Sequence, residues 1–252
     1  MKISIVTPVY NAIGFIDATI DMVLKQDYED WEWILVEDGS GDGTRQHLEK
    51  MIASGLPDSR IRIIFADDNE HGAAGARNIG IDAAEGRYIA FLDADDIWHK
   101  DKLSTQLTFM EEEDAAFSFT SYEFGDSDAV GTGRFVRVPD SLSYRQALSR
   151  TVIFTSTVMI DTEKIDKKLI HMPYIASEDT ATWWNVLRTG ICARGIDRSL
   201  SIYRRPAKSL SSNKLLAVRR IWNLYRTHEG LGVISSAYYF VGWAVRATIR
   251  RI

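Results

Sequence analysis

Residues 87–96 read RYIAFLDADD, and the interpretation of the whole chain turns on them. Tyr88 to Leu92 form a continuous aromatic and apolar run of strand length, the pattern of a strand buried on both faces. Asp93, Asp95 and Asp96 follow at once. Carboxylates placed there stand at the C-terminal end of the strand, which is where open parallel sheets bind ligands. Working backwards, ISIVTPV (3–9) is a first strand, 32–37 a second and IRIIFA (61–66) a third. Ile13, Ile16, Ile20, Val23 and Leu24 recur at helical spacing and predict a helix over 12–25. Helices are also predicted over 44–54 and 74–84. Strand alternating with helix gives an α/β fold, with a mostly parallel central sheet flanked by helices.

Beyond this stretch the signals weaken. A helix is expected over 99–113, strands over 115–123 and 152–160, and an exposed excursion over 125–140. The helix through TATWWNVLRTG is closed by Gly190. One of Trp183 and Trp184 is expected in the core and the other facing an acceptor. Two further apolar segments, 214–228 and 231–249, complete a helical tail.

The 252 residues are 45% hydrophobic and 26% charged, which excludes disordered, collagenous and coiled-coil classes. Cys192 is the only cysteine, so no intrachain disulfide can form and a reducing compartment is expected. The N-terminus lacks the apolar run of a secretory signal. Net charge is −5 but unevenly spread: residues 206–252 hold eight Lys/Arg against Glu229 alone, while 1–205 hold 22 bases and 34 acids. The chain thus divides into an acidic body, 1–205, and a basic, aromatic-rich tail, 206–252. Such a tail suits either an anionic surface or the acidic body itself. The apolar stretch of 231–252 runs only about 15 residues before Arg246, with two serines inside, short of the roughly 20 apolar residues that span a bilayer. Tyr238, Tyr239, Phe240 and Trp243 beside terminal arginines fit a helix lying in a membrane interface.

Each strand ends in polar residues: Thr7 and Asn11, then Glu37 and Asp38, then Asp67, Asp68 and Asn69, then the Asp93–Asp96 group. Crowded carboxylates are best tolerated around a cation, and hard oxygen donors without a Cys/His cluster favour Mg²⁺ or Mn²⁺. An ion on that rim would hold a diphosphate. A dinucleotide site would need G-x-G-x-x-G after the first strand, where TPVYNA stands, and no P-loop string occurs. The glycine-rich HGAAGARNIG instead follows the third strand. There Gly72 and Gly75 serve backbone approach or packing equally well, and Arg77 can face phosphate or an acid.

TPVYNA, VEDGSGDGT, GAAGARNIG and GRYIAFLDADDIW followed by Lys102 and Leu103 together resemble the family 2 glycosyltransferases of the GT-A fold. SEDTATWWNVLRTG and YRRPAKSLSSNK resemble that family's acceptor-side and closing segments, and the tail resembles bacterial surface-polysaccharide enzymes of teichuronic-acid and capsule type. The resemblance implies metal-dependent transfer of a sugar, with inversion, from a nucleotide-diphosphate donor with uracil as the usual base. The acceptor would be a hydroxyl, such as one on a lipid-linked glycan at the inner face of a cell membrane. It implies that Thr7, Pro8 and Asn11 border the nucleotide and that Asp38 meets the base. Arg77 would lie near the diphosphate or the acids, Asp93 near the ribose or sugar, and Asp95 on the metal. Asp179 would be the catalytic base, with Glu178 beside it. Relatives place a histidine near the closing segment; here Arg204, Arg205, Lys208 or Ser211 would reach the diphosphate instead, and the five histidines read as surface residues. The alternatives are a non-catalytic nucleotide-sugar-binding protein of the same fold and a nucleotidyltransferase.

Overall fold

A computed structural model describes residues 2–67, 72–204 and 214–249. Asp68, Asn69, His71, Arg205, Lys208, Ser211 and the terminal arginines lie outside the described residues. The first half alternates as expected: β1 (Ile3–Val9), α1 (Ile16–Leu24), β2 (Trp31–Glu37), α2 (Thr44–Ser54), β3 (Ile61–Phe65), α3 (Ala73–Ala83) and β4 (Tyr88–Phe91). The second half runs β5 (Ile97–Trp98), α4 (Lys102–Glu112), β6 (Phe117–Gly125), β7 (Gly131–Val136), β8 (Ser141–Leu142) and α5 (Tyr144–Leu148). It continues through β9 (Met159–Asp161), α6 (Lys167–Ile170), α7 (Glu178–Arg188), β10 (Ala193–Arg204), α8 (Lys214–Asn223) and α9 (Val233–Ile249).

The sheet is mixed. Its path is β3-β2-β1-β4-β9-β6-β10-β5. Pairing is parallel across β3, β2, β1 and β4, and again between β6 and β10. The parallel expectation ends at β9, which runs antiparallel to both β4 and β6. Strand β9 is also shorter than the extended run expected over 152–160. Thr155 to Thr157 form a 3₁₀ turn instead, because their hydroxyls bond locally and to distant acids rather than leaving the backbone to a ladder. The 125–140 excursion folds back as β7 on β6, exposed along most of its length and anchored by buried Val136 and Val138.

Period-two alternation on β1 feeds two cores. Ile3, Ile5 and Val9 face the layer holding α1, α2 and α4, and Val6 faces the layer holding α3 and α7. Gly80 of α3 sits directly on Val6; a Cβ there would meet Val6 Cγ1 at 2.5 Å. The tail joins that second core through Ile221, Leu224 and Tyr225. Tyr225 stacks on Trp184 with ring centroids 5.5 Å apart and donates its hydroxyl to Leu148 O. Trp183 is equally buried, against Phe91 and Phe117. The expectation that one of the pair faces an acceptor is therefore corrected: α7 lies between the sheet and the tail, so both of its broad faces are covered.

On α9 the structure also redistributes the aromatics. Tyr239, Phe240 and Trp243 pack inward on the core, and only Tyr238 of the four points outward. Among the described residues, no helix is long and apolar enough to cross a membrane.

Candidate active site

Strands β1, β2 and β4 run parallel, so their C-terminal ends open on the same edge, and a cavity of about 790 Å³ lies there. That volume falls in the range of sites for small organic ligands. Pro8, Asn11 and Phe15 line it from the β1 side, Asp38 and Gly39 from β2, Gly72, Ala73 and Arg77 from α3, and Asp93 and Asp95 from the end of β4. Six of the expected residues thus share one wall system. Thr7 does not: it is fully buried, and its Oγ1 accepts a bond from Trp33 Nε1 at 2.9 Å. Alternation along β1 turns Thr7 into the layer behind the cavity and leaves Pro8 facing it.

Local chemistry fixes the loops. Asn11 adopts φ +50°, donates its N–H to Ser40 Oγ and accepts from Gly41 N, which ties the β1 and β2 loops together. Ser40 N in turn donates to buried Glu37. Asp38 accepts the Gly72 N–H at 2.8 Å. Gly72 has φ +94°, a conformation that glycine adopts without strain, and it opens α3 at the cavity wall.

Arg77 holds the site together. Its side chain is 6% exposed; Nη2 donates to Asp93 at 2.6 Å and Nη1 to Glu178 at 2.9 Å. Burial opposes its charge, yet Asp93, Glu178 and Asp179 outweigh that and raise its pKa. Arg77 Nε is buried with no partner among the described residues. Burial, followed by the charge of Asp93, pushes Asp95 above the usual carboxylate range, and fully buried Asp96 is pushed up further by the same causes and by Asp95. Glu178 is raised by burial and by Asp179, against the pull of Arg77. Among the described residues no three His, Cys, Asp or Glu side chains converge as a self-sufficient metal cage.

Glu178 and Asp179 begin α7, after Ser177 at φ +63°. Both flank the cavity rather than line it. Asp179 is anchored by Thr180 N at 2.6 Å and Thr155 Oγ1 at 3.1 Å. Ser156 accepts from Asp93 N and donates to Asp96 at 2.5 Å. Sequence reading had passed over Thr155 and Ser156, because isolated hydroxyls in an apparent strand carry no pattern. Arg204 is nearly buried, donates to Asp95 O and Ser127 O, and lies over the Phe15 ring at 4.5 Å. Its backbone N–H also donates to Asp96 Oδ1 at 3.2 Å, so Arg204 stands beside the acids. Four histidines sit away from this cluster: His47 meets Asp17, His171 meets Asp82, His228 meets Asn185, and His99 is exposed.

Comparison with known proteins gives this arrangement a lineage. The family model described as glycosyl transferase family 2 matches residues 4–168, which span α1 to α5 and the whole cavity wall. The chain belongs to glycosyltransferase family 2. This glycosyltransferase is 42% identical to TuaG of Bacillus subtilis, whose name assigns it to teichuronic acid biosynthesis; the match covers 99% of the chain and 97% of TuaG. It is 39% identical, over 89% of the chain and 86% of the relative, to WfaP of Escherichia coli, named as a UDP-Glc:α-D-GlcNAc-diphosphoundecaprenol β-1,3-glucosyltransferase. Its fold is shared with S. aureus TarS bound to UDP-GlcNAc, with TM-score 0.69 and 19% identity over 97% of the chain and 72% of TarS. A mannosyltransferase of Pyrobaculum calidifontis, solved with GDP-Man and Mn²⁺, superposes with TM-score 0.72 and 16% identity over 98% of the chain and 73% of that protein. The expected α/β, GT-A fold is thereby borne out.

Proposed function

We propose that this glycosyltransferase works by inversion, with Mn²⁺ or Mg²⁺, moving a sugar from a UDP-type donor to a hydroxyl of a lipid-linked glycan in cell-surface polysaccharide synthesis. The observation that carries the reading is a continuous one. A single cavity is lined by Asp38 and by the Asp93–Asp95 pair, and Arg77 in its wall joins Asp93 to Glu178, the neighbour of Asp179. Relatives whose names specify a UDP-glucose donor and a diphosphoundecaprenol acceptor support the substrate classes.

The donor set fits a divalent ion. Asp95 is a half-buried carboxylate in the cavity wall, crowded by Asp93, which is the situation a cation relieves. Two carboxylates alone make an incomplete shell, as suits an ion that shares its coordination with donor phosphates. When bound, the ion supplies positive charge against the diphosphate oxygen that accepts the electrons of the broken sugar bond. Asp38, Pro8 and Asn11 hold the base and ribose end, and Thr7 supports them from behind the wall. Arg77 keeps Asp93 oriented towards the ribose or sugar and holds Glu178 away from the acceptor. Asp179, oriented by Thr155 and Thr180, takes the proton of the attacking hydroxyl as its oxygen bonds to the anomeric carbon. The body 1–205 performs this chemistry, and the tail 206–252 contacts the membrane on its cytoplasmic side.

Thermal melts with UDP, with and without Mn²⁺, paired with a transfer assay, test this. Asp95→Asn is expected to abolish the Mn²⁺-dependent shift and to cut transfer at least about a hundredfold, the scale of losing a charge-stabilising group. Asp179→Asn keeps the shift and loses transfer by about 10²–10⁴. Near-normal turnover in Asp179→Asn would remove that residue from the role of base.

A further inference from the structure

We propose that the outward face of α9 is the surface that docks on an anionic lipid bilayer, presenting Ile234, Tyr238, Val241 and Val245 to it. This deepens the membrane contact proposed above by naming the face and the lipid charge. These four side chains are 88%, 74%, 62% and 54% exposed. At 3.6 residues per turn, positions 234, 238, 241 and 245 fall within an arc of about 60°, a single straight stripe along the helix. The opposite face is already used: Ser236 is buried, and Tyr239, Phe240 and Trp243 pack on the core. A helix that is apolar on both sides needs a second apolar partner.

Charge selects the partner. Residues 206–252 carry eight Lys/Arg and one acid. That acid, Glu229, has a fully buried side chain, held by Arg188 at 2.5 Å and by the Tyr144 hydroxyl. The segment that carries the stripe is therefore basic in composition, with its one acid sealed inside the fold, as suits an interfacial helix on anionic lipid. A second copy is the poorer occupant, because two basic tails repel and four side chains fall far below the roughly 20–30 residues a side of a stable interface. Since no described helix can cross a bilayer, α9 lies on it rather than through it.

The inward face of α9 is wired to the acids. Trp243 Nε1 donates to Thr151 Oγ1 at 3.0 Å, and Arg246 donates to Ser149. Four residues after Thr151, Thr155 bonds Asp179, and Ser156 bonds Asp96. A lipid surface held by α9 is thus one short segment of chain from the proposed base, where a hydroxyl on a lipid-linked glycan has to arrive.

Co-sedimentation of the full chain with phosphatidylglycerol/phosphatidylcholine vesicles, against phosphatidylcholine alone, tests the docking without donor or acceptor. At least tenfold stronger partition onto the anionic vesicles is expected. Ile234→Asp with Val241→Asp should lower it at least tenfold while leaving the melting temperature and the UDP shift unchanged; a milder Ile234→Ser/Val241→Ser pair covers the case of misfolding. Equal partition of wild type and folded variant, or none by the wild type, overturns the proposal. So does a concentration-dependent dimer in light scattering that the variant abolishes, since a second copy would then own the stripe. Vesicle binding without any UDP shift would instead keep the docking and sink the transferase reading.

Discussion

Arg77 and Lys102 are both buried cations, and their surroundings give them opposite meanings. Arg77 meets two carboxylates, so its charge is held and the acids are aligned by it. Lys102 is fully buried, and its Nζ has no hydrogen-bond partner among the described residues, only the Trp98 ring 3.9 Å away. Burial therefore lowers its pKa well below 10.5. A lysine depressed in the fold must take up a proton on unfolding, so it destabilises the protein at neutral pH, and the penalty fades as pH climbs towards 10.5. Lys102→Met, similar in volume and apolar, should raise the melting temperature near pH 7, with the gain shrinking steadily in melts at more alkaline pH. A gain independent of pH would mean that the lysine is paired and charged.

At the scale of elements, close contact between α3 and β1 aims the site. Gly80 lets α3 lie against Val6, and so sets the depth at which Gly72, Ala73 and Arg77 meet the cavity. Val6 is fully buried and β-branched, with little freedom to yield. Gly80→Ala is expected to cost about 1–3 kcal/mol by overpacking, read from urea unfolding. Its effect on UDP affinity should exceed that of a surface change of equal size, because the displaced helix carries Arg77. Unchanged stability would show that α3 has slack. The segment 149–157 is the second positioning element, joining α9 at one end to Asp179, Asp93 and Asp96 at the other.

For the whole molecule, the tail is structural before it is anything else. Trp184, Ile221, Leu224 and Tyr225 belong to the same core as Phe91 and Val6, and Glu229 joins the tail to α5 and α7 through Tyr144 and Arg188. Ending the chain after Arg204 would bare one side of α7, on which the proposed base stands. Such a truncation should lose cooperative melting and aggregate when expressed beside the full chain. Recovery of a soluble body with an unaltered melting curve would make the tail an independent appendage.

The order β1 to β4, the acids beyond β4 and the family are legible in the amino-acid order alone, because buried parallel strands write continuous apolar runs and strand ends collect the ligand-facing residues. The sequence also marked Pro8, Asn11, Asp38, Arg77, Asp93 and Asp95, all of which line one cavity. Folding in three dimensions was needed to reveal that Thr7 faces away from that cavity, that both tryptophans of α7 are core, and that Thr155 and Ser156 hold the acids. Those outcomes depend on which residues distant in the chain come to lie against each face: Trp33 behind Thr7, Tyr225 over Trp184, Asp179 beside Thr155. Local periodicity records that a face will be covered, and packing alone determines by what.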